Sequence, residues 1–89
     1  MSLISIIIPY FKKKEFFEKT IHSVLNQTYS NFEIFIDYDD ESKDDLNFVK
    51  KISALDSRIN LIINNQNLGV GQSRNKGIKH SNGEYIAFI

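Results

Sequence analysis

Three short segments carry side chains that could act on a ligand. Asp39 and Asp40 stand side by side behind an apolar run, Phe32 to Ile36. A carboxylate in that place can accept a hydrogen bond from the N3–H of a uracil ring, a charge-assisted contact of about 1.5–3 kcal/mol. The pair equally suits the first turn of a following helix, whose dipole favours negative charge. Arg74 lies in the segment Leu68-Gly69-Val70-Gly71-Gln72-Ser73-Arg74-Asn75-Lys76-Gly77. Glycine lets the backbone approach a ligand, and a helix start offers unpaired N–H groups to anions. An arginine one turn in could bond a base carbonyl or a phosphate, or pair with a neighbouring acid on the surface. The third segment is the turn Pro9-Tyr10-Phe11, behind the apolar run Leu3 to Ile8.

Other chemistries find little support. Gly69-Val70-Gly71 lacks the third glycine of a dinucleotide fingerprint, since position 74 is Arg, and it does not follow the first strand. His22 and His80 have no second ligand at metal spacing, and there is no cysteine for a disulfide or a thiolate metal site. No Ser-His-Asp arrangement is present. A receiver-type phosphoacceptor domain would need an Asp after the third strand, where this chain has Asn64-Asn65.

These residues must be held by something, and the hydrophobic pattern says what. Leu3 to Ile8 is apolar at nearly every position, as in a parallel strand covered on both faces, and Pro9 is expected to end it. Phe17, Ile21, Val24 and Leu25 form one stripe of a helix from about Lys14 to Asn26, widened by Phe16. A second strand spans Phe32 to Ile36. Ser42 with Asp45 three residues on has the capping-box pattern of a helix start, and Leu46, Val49, Ile52 and Leu55 make that helix's stripe. Ile59 to Ile63 is a third strand, about Val70 to Lys79 a third helix, and Glu84 to Ile89 a fourth strand. Gly77, in mid-helix, is expected to mark close packing against the sheet. The order β-α-β-α-β-α-β predicts an α/β fold with a parallel sheet and right-handed crossovers. In such sheets ligands bind beyond the carboxyl ends of the strands. With strand order 3-2-1-4 all three segments meet there.

Eighty-nine residues are at most one small domain. Eleven basic and eleven acidic residues cancel, against a sequence-independent grip on nucleic acid. The cluster Lys12-Lys13-Lys14 reads as a solvated loop face. No apolar run approaches the ~20 residues of a membrane span, and the amino terminus lacks a signal-peptide core. A cytoplasmic setting is expected, with peripheral membrane association left open. Ending inside an apolar strand reads as a fragment, whose open fourth-strand edge should favour self-association.

Five ordered stretches resemble the family 2 glycosyltransferases, inverting enzymes of the GT-A fold. They are Ser5 to Lys12, Ser23 to Ile34, Asp39 to Asp44, Asn67 to Ile78, and Gly83 to Phe88. The resemblance implies that 1–89 is the N-terminal nucleotide-sugar-binding part of a GT-A domain. It implies that Pro9, Tyr10, Phe11, Asp39, Asp40 and Arg74 contact the nucleotide of a donor, expected to be a UDP-sugar. It further implies an acidic Asp-x-Asp motif holding Mg or Mn, a catalytic base and an acceptor site, all beyond Ile89. The chain alone is therefore expected to hold no metal and to be inactive. Three departures stand out. Lys12 replaces the usual Asn, Glu41 replaces a small residue, and one extra residue, Asp37 or Tyr38, precedes the acidic pair. The last leaves open which of Asp39 and Asp40 faces the base. The other reading is a non-catalytic nucleotide-binding or interaction module, self-sufficient in these residues.

Overall fold

The computed structural model describes residues 2–12, 14–40, 42–64 and 69–89, without the side chains at 69–71, 73 and 74. Strands β1 (Ile4–Tyr10), β2 (Phe32–Tyr38), β3 (Ile59–Ile63) and β4 (Tyr85–Phe88) alternate with helices α1 (Lys14–Leu25), α2 (Lys43–Ser53) and α3 (Gly69–His80). All pairings are parallel and the sheet order is β3-β2-β1-β4. The predicted α/β architecture is the one observed.

β-Strand alternation gives the sheet two unlike faces. Ile6, Ile8, Tyr10, Ile34, Ile36 and Tyr38 turn toward α1 and α2, where they pack on Phe17, Ile21, Val24, Val49 and Ile52. Each fully buried side chain of this size is worth about 1.5–3 kcal/mol. The other face, toward α3, is polar: Ser5, Asp37 and Asp39 are buried there, with Ile7 and Phe35 among them.

Glycine makes α3 fit. A Cβ at Gly77 would lie 2.6 Å from Ile7 Cγ2 and 2.8 Å from Asp37 Oδ2, so the close packing expected of this residue is present. At the amino rim, Gly83 donates its N–H to Ser5 Oγ at 2.8 Å, and Ser5 Oγ donates to Glu33 Oε2 at 2.6 Å. Asn82 adds its backbone N–H to the same carboxylate at 2.7 Å. Burial alone would push Glu33 up, but these donors hold it below the usual carboxylate range. They pin the entry of β4 onto β1.

Three expectations need correction. Pro9 does not end β1, which continues to Tyr10 with Pro9 paired to Asp37. Ile4 donates to Asn31 and Tyr10 accepts from Asp39, so even residues of β1 address β2, while Ile7 accepts from Ile89 on the β4 side. Pro9 therefore turns its missing donor toward the β4 side, where pairing has stopped at Ile7, and β2 loses no bond. Phe16 does not widen the α1 stripe but is 68% exposed, and Leu55 lies beyond the end of α2. Phe48, one helical turn before Ile52, packs against the core, its ring 6.3 Å from that of Phe17.

Candidate nucleotide-binding rim

The carboxyl rim joins the loop after β1 to the loop after β2 by backbone and carboxylate. Asp39 N–H donates to the Tyr10 carbonyl at 2.9 Å. Asp40 accepts from both sides: Oδ2 from Lys12 N–H at 2.9 Å and Oδ1 from Ser42 N–H at 3.1 Å. Lys12 holds φ 54°, a left-handed conformation that asparagine tolerates better than lysine. Ser42 caps α2, its Oγ accepting from Asp45 N–H at 3.1 Å. The capping box is thus completed by Asp40 rather than Asp45, whose carboxylate accepts from Tyr10 OH at 2.8 Å.

That last bond shows where Tyr10 sits. Its ring is fully buried, stacked on Tyr38 at 5.2 Å and edge-on to Phe17 at 5.1 Å. Burial, with Asp45 beside it, pushes the Tyr10 hydroxyl far above its ordinary range. Burial and the nearby Asp40 and Asp45 push Tyr38 up to about 12. Both phenols are neutral structural groups, and only the main chain of Tyr10 reaches the rim. Pro9 is buried as well. Phe11 is different, 39% exposed, with the Lys12 ammonium 5.1 Å from its ring centre.

Beside these loops opens a groove of about 760 Å³, lined by Lys12, Lys14, Glu15, Phe16, Asp40, Ser42 and Asp45. Its size suits a small organic ligand. It takes in Asp40 but not Asp39, because alternation places the two carboxyls on opposite sides of the sheet. Asp39, 4% exposed, accepts on Oδ1 from Asn64 Nδ2 at 3.4 Å, and Asn64 Oδ1 accepts from Lys76 Nζ at 2.7 Å. The pairing of β1 with β2 is unbroken from Ile4↔Phe32 to Tyr10↔Tyr38, so the extra residue makes no bulge. Arg74 belongs to α3, which begins on the chain after the carboxyl end of β3, but its side chain lies outside the described residues.

Asn64, Lys76, Asp45 and Lys14 were not singled out as site residues from sequence. Asn64 closes a strand and Lys76 sits twelve positions on, a spacing that carries no periodic signal. Among the described residues, no three His, Cys, Asp or Glu side chains converge to hold a metal. The carboxylates at the rim suit one poorly, since Asp40 already accepts two backbone N–H groups and Asp39 faces an amide.

Residues 5–89 match the family description "Glycosyl transferase family 2". The chain belongs to this family. Among curated relatives of this family 2 chain is the Escherichia coli UDP-Glc:alpha-D-GlcNAc-diphosphoundecaprenol beta-1,3-glucosyltransferase WfgD, 39% identical over 87 residues, which are 98% of this chain and 34% of that protein. The E. coli enzyme of the same description called WfaP is 42% identical over the whole chain, 35% of its own length. The putative teichuronic acid biosynthesis glycosyltransferase TuaG of Bacillus subtilis is 30% identical over 98% of the chain and 34% of that protein. The chain thus spans about a third of the length of these relatives.

Proposed function

We propose that residues 1–89 form the donor-nucleotide half of a GT-A glycosyltransferase domain, taking the uridine diphosphate of a UDP-sugar at the carboxyl rim. The observation that carries this reading is the joining of the two rim loops through Asp40 and Tyr10, beside a groove of nucleotide size. In this reading the exposed Phe11 ring offers a flat apolar surface for a base beside the groove, and one carboxylate of the Asp39–Asp40 pair accepts the imide N–H. Arg74 supplies a cation for a carbonyl or phosphate from the start of α3. The donor and acceptor in the names of the E. coli relatives support UDP-glucose-type donors and an acceptor linked to a lipid diphosphate. A lipid-linked acceptor also favours polysaccharide assembly at the inner face of the membrane; no helix among the described residues is long and apolar enough to cross it.

In the complete enzyme, transfer proceeds with inversion by in-line attack, and a divalent ion would neutralise the departing diphosphate. The carboxylates among the described residues do not fit such an ion. The 89 residues alone bind nucleotide weakly, transfer no sugar, and self-associate through the open edge of β4.

An NMR titration with UDP tests the reading. Half a pocket should give a Kd of about 0.1–1 mM, the weak end of ordinary enzyme–substrate affinity. Arg74→Ala should weaken it about tenfold or more, as loss of a charge-assisted hydrogen bond does. No shift at several millimolar UDP, or an unchanged Kd in Arg74→Ala, sinks the proposal. A low-micromolar Kd would instead mark a self-sufficient module, and sugar transfer by the purified chain would overturn its inactivity.

A further inference from the structure

Asp45 stands where a helix-capping acid would stand, yet it does not cap. It is the third residue of α2 after the cap Ser42, the place from which a capping-box side chain reaches back to the N–H of the cap. That N–H is already taken by Asp40 Oδ1 at 3.1 Å. Asp45 turns instead to the carboxyl end of β1, where its Oδ2 accepts from Tyr10 OH at 2.8 Å. The Tyr10 ring cannot swing away, being fully buried, stacked on Tyr38 and edge-on to Phe17. Tyr38 OH donates to the Ser42 carbonyl, so two phenols fasten the start of α2 to the sheet.

Held in this way, Asp45 lines the groove together with Glu15 and Phe16 of α1. No described residue bonds its Oδ1, and no cation among the described residues pairs with it. A carboxylate can only accept, and an O–H donor gives it a short, charge-assisted bond. Phosphate is the poorer match at this end of the groove. Three carboxylates, Glu15, Asp40 and Asp45, line it against two ammonium groups, Lys12 and Lys14. Both ammonium groups also lie over rings, Lys12 at 5.1 Å from the centre of Phe11 and Lys14 at 5.4 Å from that of Phe48. Phe16, 68% exposed near the start of α1, adds a flat apolar surface. A carboxylate oxygen beside an apolar ring suits a sugar, whose edge carries O–H donors and whose face carries C–H groups.

We infer that Asp45 binds hydroxyl groups of a sugar ring in the groove, with Phe16 against the face of that ring and Tyr10 as the residue that positions Asp45. This rests on the nucleotide reading of the rim, and it names the part of the donor that the side of the groove between α1 and α2 receives. A nucleotide-sugar carries such hydroxyls twice, on its ribose and on the sugar to be transferred, and the same carboxylate chemistry serves either. The contact falls on the first turn of α2, apart from Asp39 and Asp40.

NMR titrations of the whole chain with UDP, its 2′,3′-dideoxy analogue and UDP-glucose test it. If the ribose is the partner, the wild-type chain should bind UDP about 3–10-fold more tightly than the dideoxy analogue, as for one hydrogen bond made partly in water. If the transferred sugar is the partner, UDP-glucose should bind about 3–10-fold more tightly than UDP. Asp45→Ala, or Asp45→Asn should Asp45→Ala fail to fold, should erase most of whichever preference is present, and Phe16→Ala should reduce it. Tyr10→Phe should lower the preference about 2–5-fold in the wild-type background and leave it unaltered once Asp45 is replaced, because the hydroxyl acts through Asp45. A tyrosine that only supports the fold would cost the same in both backgrounds, and that result would overturn its positioning role. No hydroxyl preference in the wild-type chain, a preference that survives in Asp45→Ala, or a change in Asp45→Ala equal for all three ligands overturns the inference and leaves the nucleotide reading standing. Absence of UDP binding by the wild-type chain overturns the nucleotide reading and this assignment with it.

Discussion

Asp37 is the residue at which the sequence departs from a simple apolar strand, and it behaves unlike its neighbours. It is fully buried, and neither oxygen has a partner at hydrogen-bond geometry. Burial pushes its carboxyl up to about 6, with nearby Asp39 adding to the rise. The Gly77 amide and the charges of His80 and Lys76, on α3, only partly offset this. An acid whose folded value exceeds its ordinary 3.8 holds more protons when folded. Its contribution is therefore fully present below about pH 4 and is lost as pH rises through about 6. We expect urea stability to fall by on the order of 2 kcal/mol across that window. Asp37→Asn should remove most of that slope and be the more stable protein at pH 7, with His80→Gln as the control for the neighbouring imidazole. Equal slopes for Asp37→Asn and wild type would contradict the assignment. Composition could not flag this residue, because nothing local distinguishes a strand-end acid that faces solvent from one that faces a helix.

At the scale of elements, α3 is the piece whose seat depends on a single atom. Gly77→Ala would gain about 1 kcal/mol of helix propensity. It would also put a methyl group 2.6 Å from the branched carbon of Ile7, and overpacking of that kind costs about 1–3 kcal/mol. The clash should win, and we expect a net loss of about 1–2 kcal/mol in urea unfolding, with amide exchange fastest in α3. A variant as stable as wild type would mean that the helix can slide. Elements were the most legible level of this chain. The 3.6-residue stripe of α1 and the Ser42 cap of α2 are local signals, and both are in place. Phe16 misled because its aromatic type suggested burial while its helical position points to the groove. The length of β1 misled because a proline stops a ladder only on the side it faces, and which side that is depends on the neighbouring strands.

For the molecule as a whole, strand order decides what is exposed. β4 is an edge, and Tyr85, Ile86, Phe88 and Ile89 are all between 40% and 62% exposed. An apolar edge with unpaired backbone groups is a template for another strand. Light scattering at rising concentration should show a mass above that of the monomer, and Ile86→Lys should return it to the monomer value; a monomeric wild-type chain at high concentration would count against the edge. The site was half legible on this scale. Strand order 3-2-1-4 brought the Pro9 and Asp39 turns together, whereas the Lys76–Asn64–Asp39 chain depends on how closely α3 approaches and left no trace in spacing. Pro9 has one more effect. With no amide hydrogen to offer on the β4 side, it withholds one donor from that ladder while its carbonyl can still accept, so a strand running on toward the end of β1 is held less firmly there.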